Sequence, residues 1–267
     1  MVSVDISYGH RLVAEQTIYS SVVGSRAYGL DGPGSDIDRR GVFLPPTPSF
    51  WGLDKPPTHV DGPGVEQFSW ELERCCTLAL QANPTVLECL WSPIVEQVTE
   101  TGRELLAIRQ AFVSQRAADS YGDYARDQMR RLDSTRRRTG EVRWKQAMHM
   151  VRLLMCGGHV LRTGEVLVDV SAHRARLLAI RRGEVSFDEV QAMAARLADE
   201  LAAARAVTTI PVAPDRAAVS DFIVRVRRAS AVENDDDPAR PDPAQRDAGR
   251  PDAAQDASAR LGRRDPG

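Results

Sequence analysis

Two aspartates separated by a single residue, Asp36 and Asp38, stand at the start of the apolar run IDRRGVFLP (residues 37–45). Alternate side chains of a strand share a face, so the two carboxylates are predicted on one face and Ile37 on the other, in a core. Like charges that close repel each other unless a cation lies between them. A rigid pair of oxygens is what a hard divalent ion takes, and two-metal phosphoryl transfer uses carboxylates to hold both ions. Upstream, TIYSSVVGS (17–25) reads as a strand that ends in Gly24-Ser25. Such a turn offers backbone N–H groups and a hydroxyl to an anion, and Gly24 leaves room for a phosphate to approach the backbone. Either feature alone is an ordinary turn or an exposed strand face. Joined by a glycine-rich link, they point to a site for phosphate and metal.

The elements that must carry these residues fall into two kinds. Up to residue 97, short β-runs alternate with turns and one helix. VEQFSW (65–70) reads as a third strand, and ELERCCTLALQA (71–82) as an amphipathic helix stopped at Asn83-Pro84. Residues 46–64, rich in Pro and Gly, read as a loop. From residue 98 to 230 the apolar spacing is helical throughout, with Gly164 and Gly183 at C-cap positions. The predicted fold is therefore α/β: a small mixed-sheet core (1–97), then an all-helical half closing a cleft (98–230). The last segment, 231–267, repeats Ala, Asp, Arg and Pro and offers little to bury, which predicts a disordered tail.

The 267 residues carry a formal net charge of −2, which excludes a chain basic throughout. Between residues 120 and 182, however, lysine and arginine clearly outnumber aspartate and glutamate. Lys145, His149 and Arg152 fall on one helical face there, either as phosphate or substrate binders or as a solvated basic surface. No apolar run is long enough for a membrane span, and the N-terminus lacks the pattern of a signal peptide. The four cysteines form no CxxC pair and read as reduced buried thiols of a cytoplasmic protein, so a zinc site is not expected.

The stretch GSRAYGLDGPGSDIDRRGVFLP (24–45) resembles the signature of polymerase-beta-type nucleotidyltransferases, and most closely their RNA-repair-associated, RlaP-like branch. The likeness continues through NPTVLECLWSP (83–93), KQAMHMVRLL (145–154), IRRGEV (180–185) and IPVAPD (210–215), so that only the tail lies outside it.

That resemblance implies transfer of a nucleoside monophosphate from an NTP to an acceptor hydroxyl, with two Mg²⁺ or Mn²⁺ ions and RNA as the acceptor. It implies a third carboxylate on a neighbouring strand, where Glu66 falls although the family carries Asp. Asp61 in the preceding loop is the rival, and a site without a third carboxylate is the remaining reading. It also places a K-x-x-x-H-x-x-R pattern on Lys145, His149 and Arg152. Arg26 and Tyr28, after the Gly-Ser turn, either contact phosphate and base or pack the turn against the sheet. Asn83 is expected to cap a helix and Glu88 to pair locally. Two other readings remain: a nucleotide- or RNA-binding protein without catalysis, and a nucleotidyltransferase acting on a protein or small molecule.

Overall fold

The computed structural model describes residues 6–235. It opens with helix α1 (Ile6–Gln16), which runs directly into strand β1 (Thr17–Val23). A four-residue helix α2 (Gly24–Ala27) follows, then β2 (Asp38–Phe43), β3 (His59–Asp61) and β4 (Gln67–Glu71). Helices α3 (Leu72–Leu80) and α4 (Pro84–Leu90) precede the last strand, β5 (Val95–Val98). The remainder is helical: α5 (Glu100–Ala107), α6 (Arg116–Thr139), α7 (Trp144–Thr163), α8 (Arg174–Arg181), α9 (Phe187–Val207) and α10 (Arg216–Asp235).

The five strands form one mixed sheet in the order β3-β4-β2-β1-β5. β1 is antiparallel to both neighbours, whereas β2 and β4 run parallel, Arg39 opposite Gln67 and Phe43 opposite Glu71. β1 is β-branched or aromatic at most positions and buried on both faces, as a central strand must be. Tyr19, Val23, Val42 and Trp70 join Leu72, Cys75, Val86 and Leu87 of α3 and α4 in the main core. The opposite face holds a smaller cluster of Leu12, Val13, Phe43 and Val60 beneath α1. The main core is continuous from Ile18 in the sheet to Val226 in α10, so apolar burial links the sheet to the helices.

Capping fixes the helix ends. Glu71 accepts bonds from the amides of Glu73 and Arg74 at the start of α3, and Asn83 accepts from Val86 N–H at the start of α4. A reciprocal capping box, Ser186 with Glu189, opens α9. Gly140 and Gly164 end α6 and α7 in the left-handed conformation, and Gly183 adopts it just past α8.

Several expectations need correction. One helix was expected before residue 97, yet α1, α2 and α4 accompany α3. Two further strands appear, β3 inside the Pro- and Gly-rich loop and β5 at the sheet edge. The long helical pattern after residue 98 is broken into α5 and α6 by a 3₁₀ turn over Arg109–Phe112. α10 runs on to Asp235, into the segment read as unstructured from residue 231; the rest of that segment lies outside the described residues. Burial pushes the Cys76, Cys89 and Cys156 thiols up to about 12, and Cys75 well above its ordinary value, so all four buried cysteines stay protonated.

Candidate active site

β1 and β2 bring the two halves of the motif together. Val23, the last residue of β1, is in register with Asp38, the first of β2. The chain then turns at Gly24 with φ +70°, and a Cβ on that residue would collide with the Asp38 carboxylate. Glycine is required there twice over: for its backbone conformation and for the space the carboxylate occupies. Ser25 is half-buried in the same turn. The turn is closed by Tyr28 N–H to Gly24 O (3.0 Å) and Leu30 N–H to Ser25 O (2.8 Å).

Asp36 departs from its predicted place. β2 begins only at Asp38, so Asp36 is exposed in the loop that leads into the strand, and Ile37 is 37% exposed rather than in the core. The polar, glycine-rich stretch before it, LDGPGS, gives the ladder nothing to extend along. Arg26 fixes that loop: its Nη2 donates to Ser35 O (2.9 Å) and its Nε to Asp36 O (3.2 Å). Arg26 thus positions the backbone of Asp36, and two of its donors are committed to that task.

Glu66 does not lead a strand. It is exposed in the turn before β4 with φ 53°, an uncommon conformation for a residue with a side chain. Its carbonyl nonetheless belongs to the ladder, accepting from Arg39 N–H at 2.8 Å. One residue back from the Arg39–Gln67 pair lie Asp38, the first residue of β2, and Glu66, in the turn just before the parallel neighbour β4. Asp61, opposite Phe68 on β3, is one strand further from Asp38. Adjacent strands lie about 4.8 Å apart, so Glu66 is the nearer of the two carboxylates. Among the described residues no three His, Cys, Asp or Glu side chains converge as a metal cluster. The oxygen donors of Asp36 and Asp38, at the end of a loop and the start of a strand, fit a hard divalent ion in kind.

The K-x-x-x-H-x-x-R face of α7 divides. Lys145 is exposed and His149 half-buried, but Arg152 is fully buried, which corrects its assignment as a phosphate contact. Arg152 Nη1 lies 2.7 Å from Glu88 Oε1, and its guanidinium stacks 3.7 Å from the Tyr28 ring centroid. Glu88 therefore pairs across the molecule, from α4 to α7, and not locally as expected. Tyr28 O–H donates to Glu88 Oε2 at 2.6 Å. Burial opposes the charge on Arg152, but the Glu88 carboxylate outweighs it and holds the guanidinium above its ordinary pKa. His149 Nδ1 lies 3.3 Å from Arg152 Nη2, a donor under all conditions, so the nitrogen accepts. Burial and the neighbouring Arg152 charge lower His149 to about 4. The ring is therefore neutral at pH 7, with its proton on Nε2.

Further residues brace the turn that sequence reasoning missed. Val170 N–H donates to Tyr28 O (3.1 Å), and Arg174 donates to the carbonyls of Gly29 and Asp31. No local pattern marks them, because their partners lie more than a hundred residues earlier.

A glycine turn ending one strand against an acidic strand start on its neighbour is what the polymerase-beta resemblance requires. The chain belongs to the RlaP family, the RNA repair pathway DNA polymerase beta family, whose profile matches residues 5–225. The chain is also 28% identical over 128 residues to the uncharacterized protein YcgL of Bacillus subtilis (strain 168), a match covering 46% of this chain and 47% of that protein. The chain thus spans about half the length of that relative. Among the described residues no helix is long and apolar enough to cross a membrane.

Proposed function

We propose that the protein is a divalent-metal-dependent nucleotidyltransferase that moves a nucleoside monophosphate from an NTP to an acceptor hydroxyl on RNA and releases pyrophosphate. The observation that carries this reading is the Gly24 backbone lying directly against the Asp38 carboxylate. It sets the glycine turn that ends β1 beside the acidic group that starts β2. In the reaction the acceptor oxygen bonds to the α-phosphorus, the bond to the β-phosphate oxygen breaks, and pyrophosphate leaves with that electron pair.

Asp36 and Asp38 would hold Mg²⁺ or Mn²⁺, which when bound supplies Lewis acidity at the phosphoryl oxygens. Glu66 would join them after its side chain swings in, and would take the acceptor's proton directly or through water. Ser25 and the backbone around Gly24 would hold the β- and γ-phosphates. Lys145 and the neutral His149 would face the nucleotide from α7. RNA as acceptor is supported by Arg131, Arg137, Arg138, Arg143 and Lys145. All five are exposed and make no ion pair among the described residues.

The test is incubation with each α-labelled NTP, Mg²⁺ or Mn²⁺ and total RNA. Label transferred to RNA is expected; no labelled product with RNA, protein or small-molecule acceptors sinks the proposal. A second reading, nucleotide binding without turnover, has one observation in its favour: among the described residues no three His, Cys, Asp or Glu side chains gather into a metal cluster. Calorimetry showing tight NTP binding beside no turnover would support it.

A further inference from the structure

Among the described residues the largest fully buried side chain belongs to an arginine, Arg152. Its ion pair with Glu88 is 0% and 4% exposed on its two sides. A buried pair of this kind is a poor device for stability, because desolvating two charges offsets most of their attraction. Nor is the pair perfected as one, since the Arg152 Nε is buried without a hydrogen-bond partner. The groups that face it come from four elements. Glu88 comes from α4, Tyr28 from the end of α2, Tyr121 from α6, and His149 and Cys156 from α7 itself. Tyr28 joins this cluster to the Gly24–Gly29 turn. Its hydroxyl is bonded to Glu88, its ring lies on Arg152, and its amide closes on Gly24 O.

We propose that the Glu88–Arg152 pair is a positioning device: through Tyr28 it sets the Gly24–Gly29 turn beside Asp38 from the helical half of the molecule. The inference deepens the nucleotidyltransferase reading, on which its functional meaning rests, by giving Arg152, Glu88 and Tyr28 a role that involves no contact with substrate. Arg152 carries the constraint because its planar guanidinium engages two partners at once: Glu88 through two nitrogens and the Tyr28 ring through its face. The tie is reinforced from the other side, where Val170 N–H holds the Tyr28 carbonyl. Tyr28 is thereby held at both ends, and the turn has one seating.

The variant that tests this is Tyr28→Phe, which removes one hydroxyl, keeps the ring on Arg152 and leaves the ion pair intact. The amides of Tyr28, Gly29 and Leu30, each bonded within the turn, report its opening by hydrogen exchange. Their exchange in the full-length variant should accelerate about tenfold while the amides of α7 and of the sheet stay as in the wild type. Unchanged exchange in the turn overturns the proposal. So does acceleration spread evenly over the protein with a lowered melting temperature, which marks a merely structural bond. The same samples are titrated with Mg²⁺·ATP. Acceleration confined to the turn supports the positioning role whatever the nucleotide does. If affinity and turnover then stay at wild-type values, the turn is not the nucleotide's seat, and the nucleotidyltransferase assignment of Gly24 and Ser25 falls instead.

Discussion

An alanine at position 24 would have to hold φ near +70° and push its Cβ into the carboxylate of Asp38. Gly24→Ala should therefore displace Asp38, lower transfer at least a hundredfold and cost about 1–3 kcal/mol of stability through backbone strain. Retained activity in steady-state assays would remove this pair from the site. Asp36→Asn and Asp38→Asn should abolish transfer with nearly unchanged melting temperatures, since Asp36 is exposed in the loop and Asp38 is only half-buried at the first position of β2. His149 gives a pH dependence with a definite sign. Its folded pKa of about 4 lies below the usual value of 6.5, so the unfolded chain binds the proton first. Its contribution is complete above pH 6.5 and is lost as pH falls toward 4, on the order of 3 kcal/mol in all. His149→Gln keeps an acceptor for Arg152 and should flatten that slope in denaturant titrations between pH 4 and 6.5. An equal slope in both proteins would refute the assignment.

Elements were legible in the sequence where pattern and length agreed. β1 and α3 announced themselves, the first as a β-branched run and the second as an amphipathic stretch entered through Glu71. β3 and β5 did not: three and four residues long, the one sits in a Pro- and Gly-rich loop and the other is almost wholly exposed. Neither length shows a period of two. α1 was hidden by Gly9, which interrupts its helical pattern. The structure brings Gly24 of the first motif against Asp38 of the second. What was misplaced was Asp36 and Ile37, because strand periodicity was extended two residues into a loop. The Glu88–Arg152 pair is separated by 64 residues, beyond any local pattern. A sharper element-scale test concerns α5, whose Gly102 packs with no room for a side chain against the Ile18 carbonyl of β1. Gly102→Ala must push α5 off the sheet. It should lower stability by about 1–3 kcal/mol, as overpacking does, while activity survives at low temperature. A variant as stable as the wild type would mean that the helix shifts freely.

At the scale of the whole molecule, α10 closes back on the half that carries the sheet. Arg227 pairs with Glu71, donates to Pro45 O and lies 4.0 Å over the Phe50 ring centroid. Thr47 Oγ1 donates in return to Arg227 O at 2.8 Å. Burial holds Glu71 above the usual carboxylate range even against the pull of Arg227. Arg227→Ala should then leave that carboxylate buried with only its two amide partners and cost about 3 kcal/mol, with most of the loss recovered by adding Glu71→Gln. Chemical denaturation of the single and double variants decides it; additive losses would show that the two residues do not act together.

The separation of Glu88 from Arg152 also bears on the order in which the protein is made. When α4 leaves the ribosome, its Glu88 carboxylate has no cation to meet, and Tyr28 has only that carboxylate to bond. At roughly 5–20 residues per second, the 64 residues between the two partners take about 3–13 s to synthesise. During that interval the strands that carry Asp38 and Gly24 exist, yet the turn between them lacks its final anchor. The turn is anchored late, by the buried charge that α7 brings, and a chain cut off before α7 would keep the whole acidic motif without a fixed place for it.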